Sequence, residues 1–230
     1  MMELLRGIQT RRSVRAFKDR PIDPSVLEKI ILAASNAPSY TNTQPWEMAV
    51  VTGKKKEKLV QGLYQAAESK RRAEPDLSFP RGWPEAMRRR SIVHRVRRWE
   101  AAEVGRQDRE GKRRRFLANF LFFHAPVVLI VYLDGRLGSW SLFDLGLFVQ
   151  NLVLSAHAMG LATCIQAVPV SYPEVISGIL GISRSKKIIV AVALGYEDKR
   201  APINRYRSEK KSVEEWVRWF GFNNPAREKR

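Results

Sequence analysis

One cysteine, Cys164, and three histidines are all this 230-residue chain offers of the side chains that close disulfides or gather metals. A lone thiol cannot form an intramolecular disulfide, and nothing points to an oxidising compartment. His94, His124 and His157 lack the spacing of a ligand set, and Cys164 on an apolar stretch reads as a packed thiol rather than a nucleophile. No long apolar run is present either. The most apolar region, residues 116–133, is broken by Asn119, His124 and Pro126, so it reads as a helix end followed by a strand and not as a membrane span. Glu3 and Arg6 interrupt the N-terminus where a signal peptide needs an apolar core, and the expected location is the cytoplasm. No Gly-x-Gly-x-x-Gly follows a predicted strand, which argues against a Rossmann dinucleotide unit. Repeats and low-complexity linkers are missing as well.

Acidic residues are the other shortage. Forty-one Lys and Arg stand against 23 Asp and Glu, a net charge of +18. Such a surplus favours phosphorylated partners, whether cofactor, nucleic acid or lipid. Much of it lies between Arg81 and Arg115, in the runs Arg88-Arg89-Arg90, Arg97-Arg98 and Arg113-Arg114-Arg115. Glu85, Glu100, Glu103, Asp108 and Glu110 are interleaved with them, the pattern of a solvated helical surface; a nucleic-acid patch is the competing reading.

Of what is present, the apolar periodicity comes first. Helices are expected over residues 3–10 and from Asp23 and Pro24 to before Pro38, where Val26, Leu27, Ile30, Ile31 and Ala34 share one face. Residues 46–52 read as a buried strand, residues 54–70 as a helix, and Pro75, Pro80 and Pro84 as an irregular crossing into the basic segment. Residues 126–134 form a central strand entered through Pro126. A long helix follows, with Ser141 and Asp144 as a capping box, and it ends near Gly160. Residues 161–168 form a strand, 171–174 cap a short helix closing at Gly181, 187–195 form the last strand, and 212–220 a last helix. Few strands among longer helices indicate an α+β fold, a central mixed or antiparallel sheet flanked by helices. The whole chain, 1–230, reads as one domain with an inserted basic helical excursion at about 75–115.

Two constellations carry chemistry. Arg11-Arg12-Ser13-Val14-Arg15 places guanidinium forks and a hydroxyl where they could grip a phosphate, although a basic cluster near an N-terminus is commonly plain surface. Pro38-Ser39-Tyr40-Thr41-Asn42-Thr43-Gln44-Pro45 is a stiff polar loop whose amides suit a heteroaromatic edge, or an ordinary connection.

Together the two stretches, RRSVRAF and PSYTNTQPW, resemble the paired signature of the nitroreductase family, and the likeness continues through FFHAPVVLIVYLD, GSWSLFDLGLFVQNLVLSAHAMGLATCIQA and ALGYEDKRAPINRYRSEKKSVEEWV. The later blocks look most like the nitrobenzoate-reductase branch. This resemblance implies a layered α+β homodimer with FMN at its interface. It also implies ping-pong transfer of electrons from NADH or NADPH to a nitroaromatic, quinone or similar small acceptor. Arg11 and Ser13 would then hold the phosphate and ribityl chain, assisted by Arg12, and Arg15 would lie by the N1/C2 edge of the flavin, where a fixed cation favours the reduced, negatively charged ring. Pro38, Ser39, Tyr40, Asn42 and Gln44 would reach the flavin from the partner subunit. Gln166 and Ala167 would fall near flavin N5, and Arg205 and Arg207 would complete the phosphate clamp. No side-chain acid or base is implied. Alternatives are a basic nucleic-acid-binding protein, or the same fold with FMN-fragmenting or dehalogenating chemistry.

Overall fold

In a computed structural model of the chain, which describes residues 3–221, seven helices flank one four-stranded sheet. The strands are β1 (Glu47–Val51), β2 (Val127–Asp134), β3 (Ala162–Gln166) and β4 (Lys186–Gly195), in the order β1-β2-β4-β3. Every pairing is antiparallel, which settles the expected mixed or antiparallel sheet as the second.

β2 explains why its sequence reads as an unbroken apolar run. Val128 and Ile130 point into one core, while Val127, Leu129, Val131 and Leu133 point into another on the opposite face. The first core also takes Leu59 and Leu63 of α3 (Gly53–Glu68) and Ile176 of α7 (Pro173–Leu180). The second takes Ile30 and Ala34 of α2 (Pro24–Ala34) and Phe148, Leu152 and Val153 of α6 (Ser139–Ala158). β4 alternates likewise, Ala191 and Ala193 against Val192 and Leu194, and a register shift opposite Val131 and Tyr132 resets its phase near Ile189. Truncating any one of the fully buried leucines or isoleucines to alanine costs about 2–5 kcal/mol. The long α6 is buried along one face and carries Trp140 and Phe143 exposed at its start.

Local signals account for several boundaries. Asp23 caps α2 by accepting from the Ser25 amide, with Pro24 at the first position. Gly181 ends α7 in the left-handed conformation, its N–H donating to Ser177. The basic excursion consists of α4 (Glu85–Ala101) and α5 (Arg109–Leu117). Glu85 pairs with Arg88 and Arg89 on its outer face, α4 rests on a short turn at Pro202–Arg205, and α5 rests on α3.

Three expectations are corrected. α6 starts at Ser139 behind Gly138, so Ser141 and Asp144 form no capping box; Asp144 instead accepts the Tyr40 amide from across the fold. α7 starts at Pro173 with no side-chain cap, so Ser171 and Glu174 do not cap it. Residues 212–220 are not a helix. Ser212 and Glu215 do make the reciprocal box, but it closes only the turn Val213–Glu215, because among the described residues Trp216 and Phe220 find too little cover, at 66% and 81% exposed, to propagate a helix.

Candidate functional site

The Arg11–Arg15 motif leaves α1 (Leu4–Thr10) and docks on the free edge of β3. Ser13 bridges Thr163, and the Val14 amide donates to the Thr163 carbonyl at 2.9 Å. Four residues on, Phe17 bridges Glu197 just beyond β4. Val14 is buried and acts as the peg, which aims the arginines outward on either side of it. Arg12 turns to Glu197, where its Nη2 donates at 2.5 Å.

Asn204, which the sequence reading passed over, locks this arrangement. It is 3% exposed and sits on the turn before Arg205. Its Oδ1 accepts the Arg15 amide, and its Nδ2 donates to the carbonyls of Ala16 and Asp198. The motif and the post-β4 segment are thereby held together, so Arg207 follows into the same region. Arg207 in turn donates to the carbonyls of Asn204 and Tyr206.

The result is a basic cleft of about 560 Å³ whose wall includes Arg11, Arg12, Ser13, Arg15 and Arg207. His94 of α4 and Tyr206 also line it, joined by a 2.7 Å hydrogen bond between His94 Nδ1 and the phenol oxygen. Burial, and then Arg98, Arg15 and Lys210, push the His94 pKa down, so the imidazole stays neutral beside the arginines. Burial and then Arg12 likewise push the Arg207 guanidinium down, against the smaller opposing pull of Glu197. Arg205 is exposed and does not line this cleft.

The loop at 38–45 lies elsewhere. Its Asn42 and Gln44 are exposed, and none of its residues lines the basic cleft of the same chain. It is nonetheless rigid: Asp144 holds Tyr40, Ser39 Oγ accepts the Gln44 amide at 3.0 Å, and Gln44 Nε2 donates to Asn42 Oδ1. Thr41, Asn42 and Gln44 all take positive φ, an ordering that costs on the order of 1–3 kcal/mol per residue and that Asp144 offsets. Pro38, also exposed, precedes it.

Gln166 ends β3 almost fully buried, donating to the Asn119 carbonyl at 3.2 Å while its Oε1 has no hydrogen-bond partner among the described residues. Ala167 is exposed at the strand exit. Cys164, behind it, is a packed thiol whose pKa burial pushes up. Among the described residues no group of His, Cys, Asp or Glu could hold a metal, and no helix is long and apolar enough to cross a membrane.

The profile of the nitroreductase family matches residues 8–196, which span the arginine motif, the polar loop and all four strands. The chain belongs to the nitroreductase family. Similar proteins include the 4-nitrobenzoate reductase of Pseudomonas putida, 33% identical over 216 residues that cover 94% of this chain and 95% of that one. The nitrobenzene nitroreductase of Ectopseudomonas oleovorans is 33% identical over 212 residues, 91% and 93% of the two chains. Among solved structures, the FMN and NADPH-dependent nitroreductase NfnB of Sphigopyxis sp. strain HMH superposes with a TM-score of 0.93 at 29% identity, covering 96% of this chain and 100% of that one.

Proposed function

We propose that this chain is an FMN-dependent oxidoreductase that takes electrons from NADPH or NADH and reduces a nitroaromatic, quinone or similar small acceptor in a ping-pong cycle. The observation that carries the reading is the convergence of Arg11, Arg12, Ser13 and Arg207 on one cleft, in a chain whose relatives include FMN-dependent nitroreductases. The donor set fits the group. Three guanidiniums and a hydroxyl suit a phosphate dianion, and one of those guanidiniums, that of Arg12, holds a buried Nε that finds no acceptor among the described residues. When bound, FMN supplies the two-electron relay between the nicotinamide and the acceptor.

In this reading Arg11, Arg12, Ser13 and Arg207 hold the phosphate end. Arg15 presents a fixed positive charge to the pyrimidine edge, a preorganised contribution that needs no rearrangement during turnover. Gln166 and Ala167 border the reactive ring position, and Arg205, exposed and outside the cleft, is left out of the clamp. The chain acts as one cytoplasmic domain with α4 and α5 as a covering lid.

A homodimer completes the site. Leu4, Leu5 and Ile8 of α1 are exposed, as are Trp140 and Phe143 of α6, and Tyr40 stacks on Trp140 at 5.8 Å. Such an apolar face supports pairing between subunits, and it carries the rigid loop whose Pro38, Ser39, Tyr40, Asn42 and Gln44 would then meet the partner's flavin. The direct test is anaerobic stopped-flow of protein reconstituted with FMN. Mixing with NADPH or NADH bleaches the flavin absorbance, and a later mix with 4-nitrobenzoate restores it. Protein that takes up no FMN, or bound FMN that neither nicotinamide bleaches, contradicts the assignment.

A further inference from the structure

The lid encloses a second cavity, of about 270 Å³, which shares Arg15 with the basic cleft. Its wall carries Arg15, Arg95, Arg98, Lys112 and Arg115 and, among the described residues, no carboxylate. Trp99, Phe116 and Phe123 supply its apolar surface. This is an unusual composition, since five cations around a small apolar space repel one another unless something negative enters.

The cations are not equally committed. Arg95 and Lys112 lie over the Trp99 ring at 5.4 and 4.7 Å, and Lys112 also donates to the Arg106 carbonyl. Arg115 reaches a single carbonyl, that of Ala102, at 3.4 Å. Arg98 has neither an acceptor nor an ion-pair partner among the described residues, although its neighbour on α4, Arg97, pairs outward with Glu209. Burial, and then Arg15, push the Arg98 guanidinium pKa down, and burial does the same to Arg115. Both charges are therefore held where an incoming anion would stabilise them.

We propose that this cavity is the acceptor site and that it selects aromatic carboxylates over neutral rings, with Arg98 and Arg115 as the specificity-determining cations and Trp99, Phe116 and Phe123 as the walls for the ring. The proposal rests on the oxidoreductase reading above and adds a choice that family membership leaves open, because the similar proteins are named for both a charged and a neutral nitroarene. Excursion helices that read in sequence as a solvated basic surface thus divide their arginines. Arg88 and Arg89 face Glu85 outside, and Arg95 and Arg98 face inward.

The test titrates FMN-loaded protein with benzoate and with benzamide, neither of which is reducible, and reads tryptophan fluorescence with calorimetry as a check. Benzoate is expected to bind about tenfold or more tighter than benzamide, since a charge-assisted contact is roughly twice as strong as a neutral one. In Arg98→Gln and in Arg115→Gln that ratio falls towards one, whereas Arg98→Lys recovers part of it. In turnover, Arg98→Gln raises KM for 4-nitrobenzoate more than KM for nitrobenzene, with kcat for the two moving together. Equal affinity for benzoate and benzamide, or a ratio unchanged in Arg98→Gln and Arg115→Gln, overturns the proposal. A protein that takes no FMN but still prefers benzoate contradicts the flavin assignment and leaves the carboxylate site standing, so the two failures are distinguishable.

Discussion

Asn204 Oδ1 accepts the Arg15 amide proton at 2.8 Å, and the same side chain donates back to the Ala16 carbonyl at 2.8 Å. One buried amide thus binds two segments almost two hundred residues apart in sequence and fixes the spacing between Arg15 and Arg207. Replacing it removes three hydrogen bonds, each worth about 0.5–1.5 kcal/mol net, and leaves the Arg15 amide without its acceptor, while the Ala16 and Asp198 carbonyls keep the amides of Asp198 and Ala201.

Asn204→Ala is accordingly expected to lose about 2–4 kcal/mol of stability, with water recovering some of the deficit, and to weaken FMN binding beyond what the stability loss explains. Chemical denaturation and a flavin fluorescence titration check the two parts. A variant with unchanged unfolding midpoint and unchanged FMN affinity removes Asn204 from the account.

Asp144 performs the equivalent service for the polar loop. It is 2% exposed, and both of its oxygens accept the Tyr40 amide at 3.2 Å. Asp144→Ala removes the acceptor that offsets the positive φ angles of Thr41, Asn42 and Gln44, so the loop should loosen. Faster limited proteolysis within residues 38–45 is expected, together with weaker self-association in sedimentation velocity. Unaltered cleavage and unaltered association would mean that the loop's shape is independent of Asp144.

His94 gives a pH dependence whose sign follows from its surroundings. Its folded pKa lies below the ordinary 6.5, because burial and then Arg98, Arg15 and Lys210 disfavour the imidazolium. The unfolded chain therefore binds a proton at higher pH than the native one. Stability is undiminished above 6.5 and declines as pH falls from there to the folded pKa. A phosphate dianion in the same cleft should raise the value, so loading with FMN moves the imidazole resonance titration upward in NMR. His94→Gln should flatten the acid slope. A His94 titration at or above 6.5 in the FMN-free protein contradicts this.

Much of this arrangement was legible in sequence, and the limits are physical. The arginine motif and the proline-bounded loop stand out because their chemistry is local and dense, and β2 declares itself because burial on both faces demands an apolar residue at every position. Asn204 gave no signal, since a buried asparagine is identified only by the backbone it bonds, and that backbone comes from the other end of the chain. Asp144 misled for the same reason. Its spacing from Ser141 fits a capping box, yet its partner is Tyr40. Residues 212–220 carry a sound helix start, but helix propagation depends on packing that Trp216 and Phe220 do not find among the described residues. The division of the α4 arginines between solvent and cavity was likewise hidden, because arginine occupies both faces of the helix and its periodicity marks neither.

Gly195 tests the docking of the motif from the sheet side. A Cβ there would lie 2.6 Å from Pro126 Cδ and 3.0 Å from Phe17 Cδ1, and the proline ring has little freedom to yield. Gly195→Ala should cost about 1–3 kcal/mol by overpacking, read as a lower unfolding midpoint. Loss of less than about 0.5 kcal/mol, the range of an ordinary surface change, would show that Phe17 can withdraw.

Arg11, Arg12, Ser13 and Arg207, read as a phosphate grip, should make the protein prefer a flavin that carries a phosphate. Paired fluorescence titrations of the protein with FMN and with riboflavin, which differ only in the phosphate, test it most directly. FMN is expected to bind at least about a hundredfold tighter, and Arg207→Ala to erase most of that difference while leaving riboflavin nearly unaffected. Equal affinities for the two flavins, or a phosphate preference that survives the loss of Arg207, would contradict it.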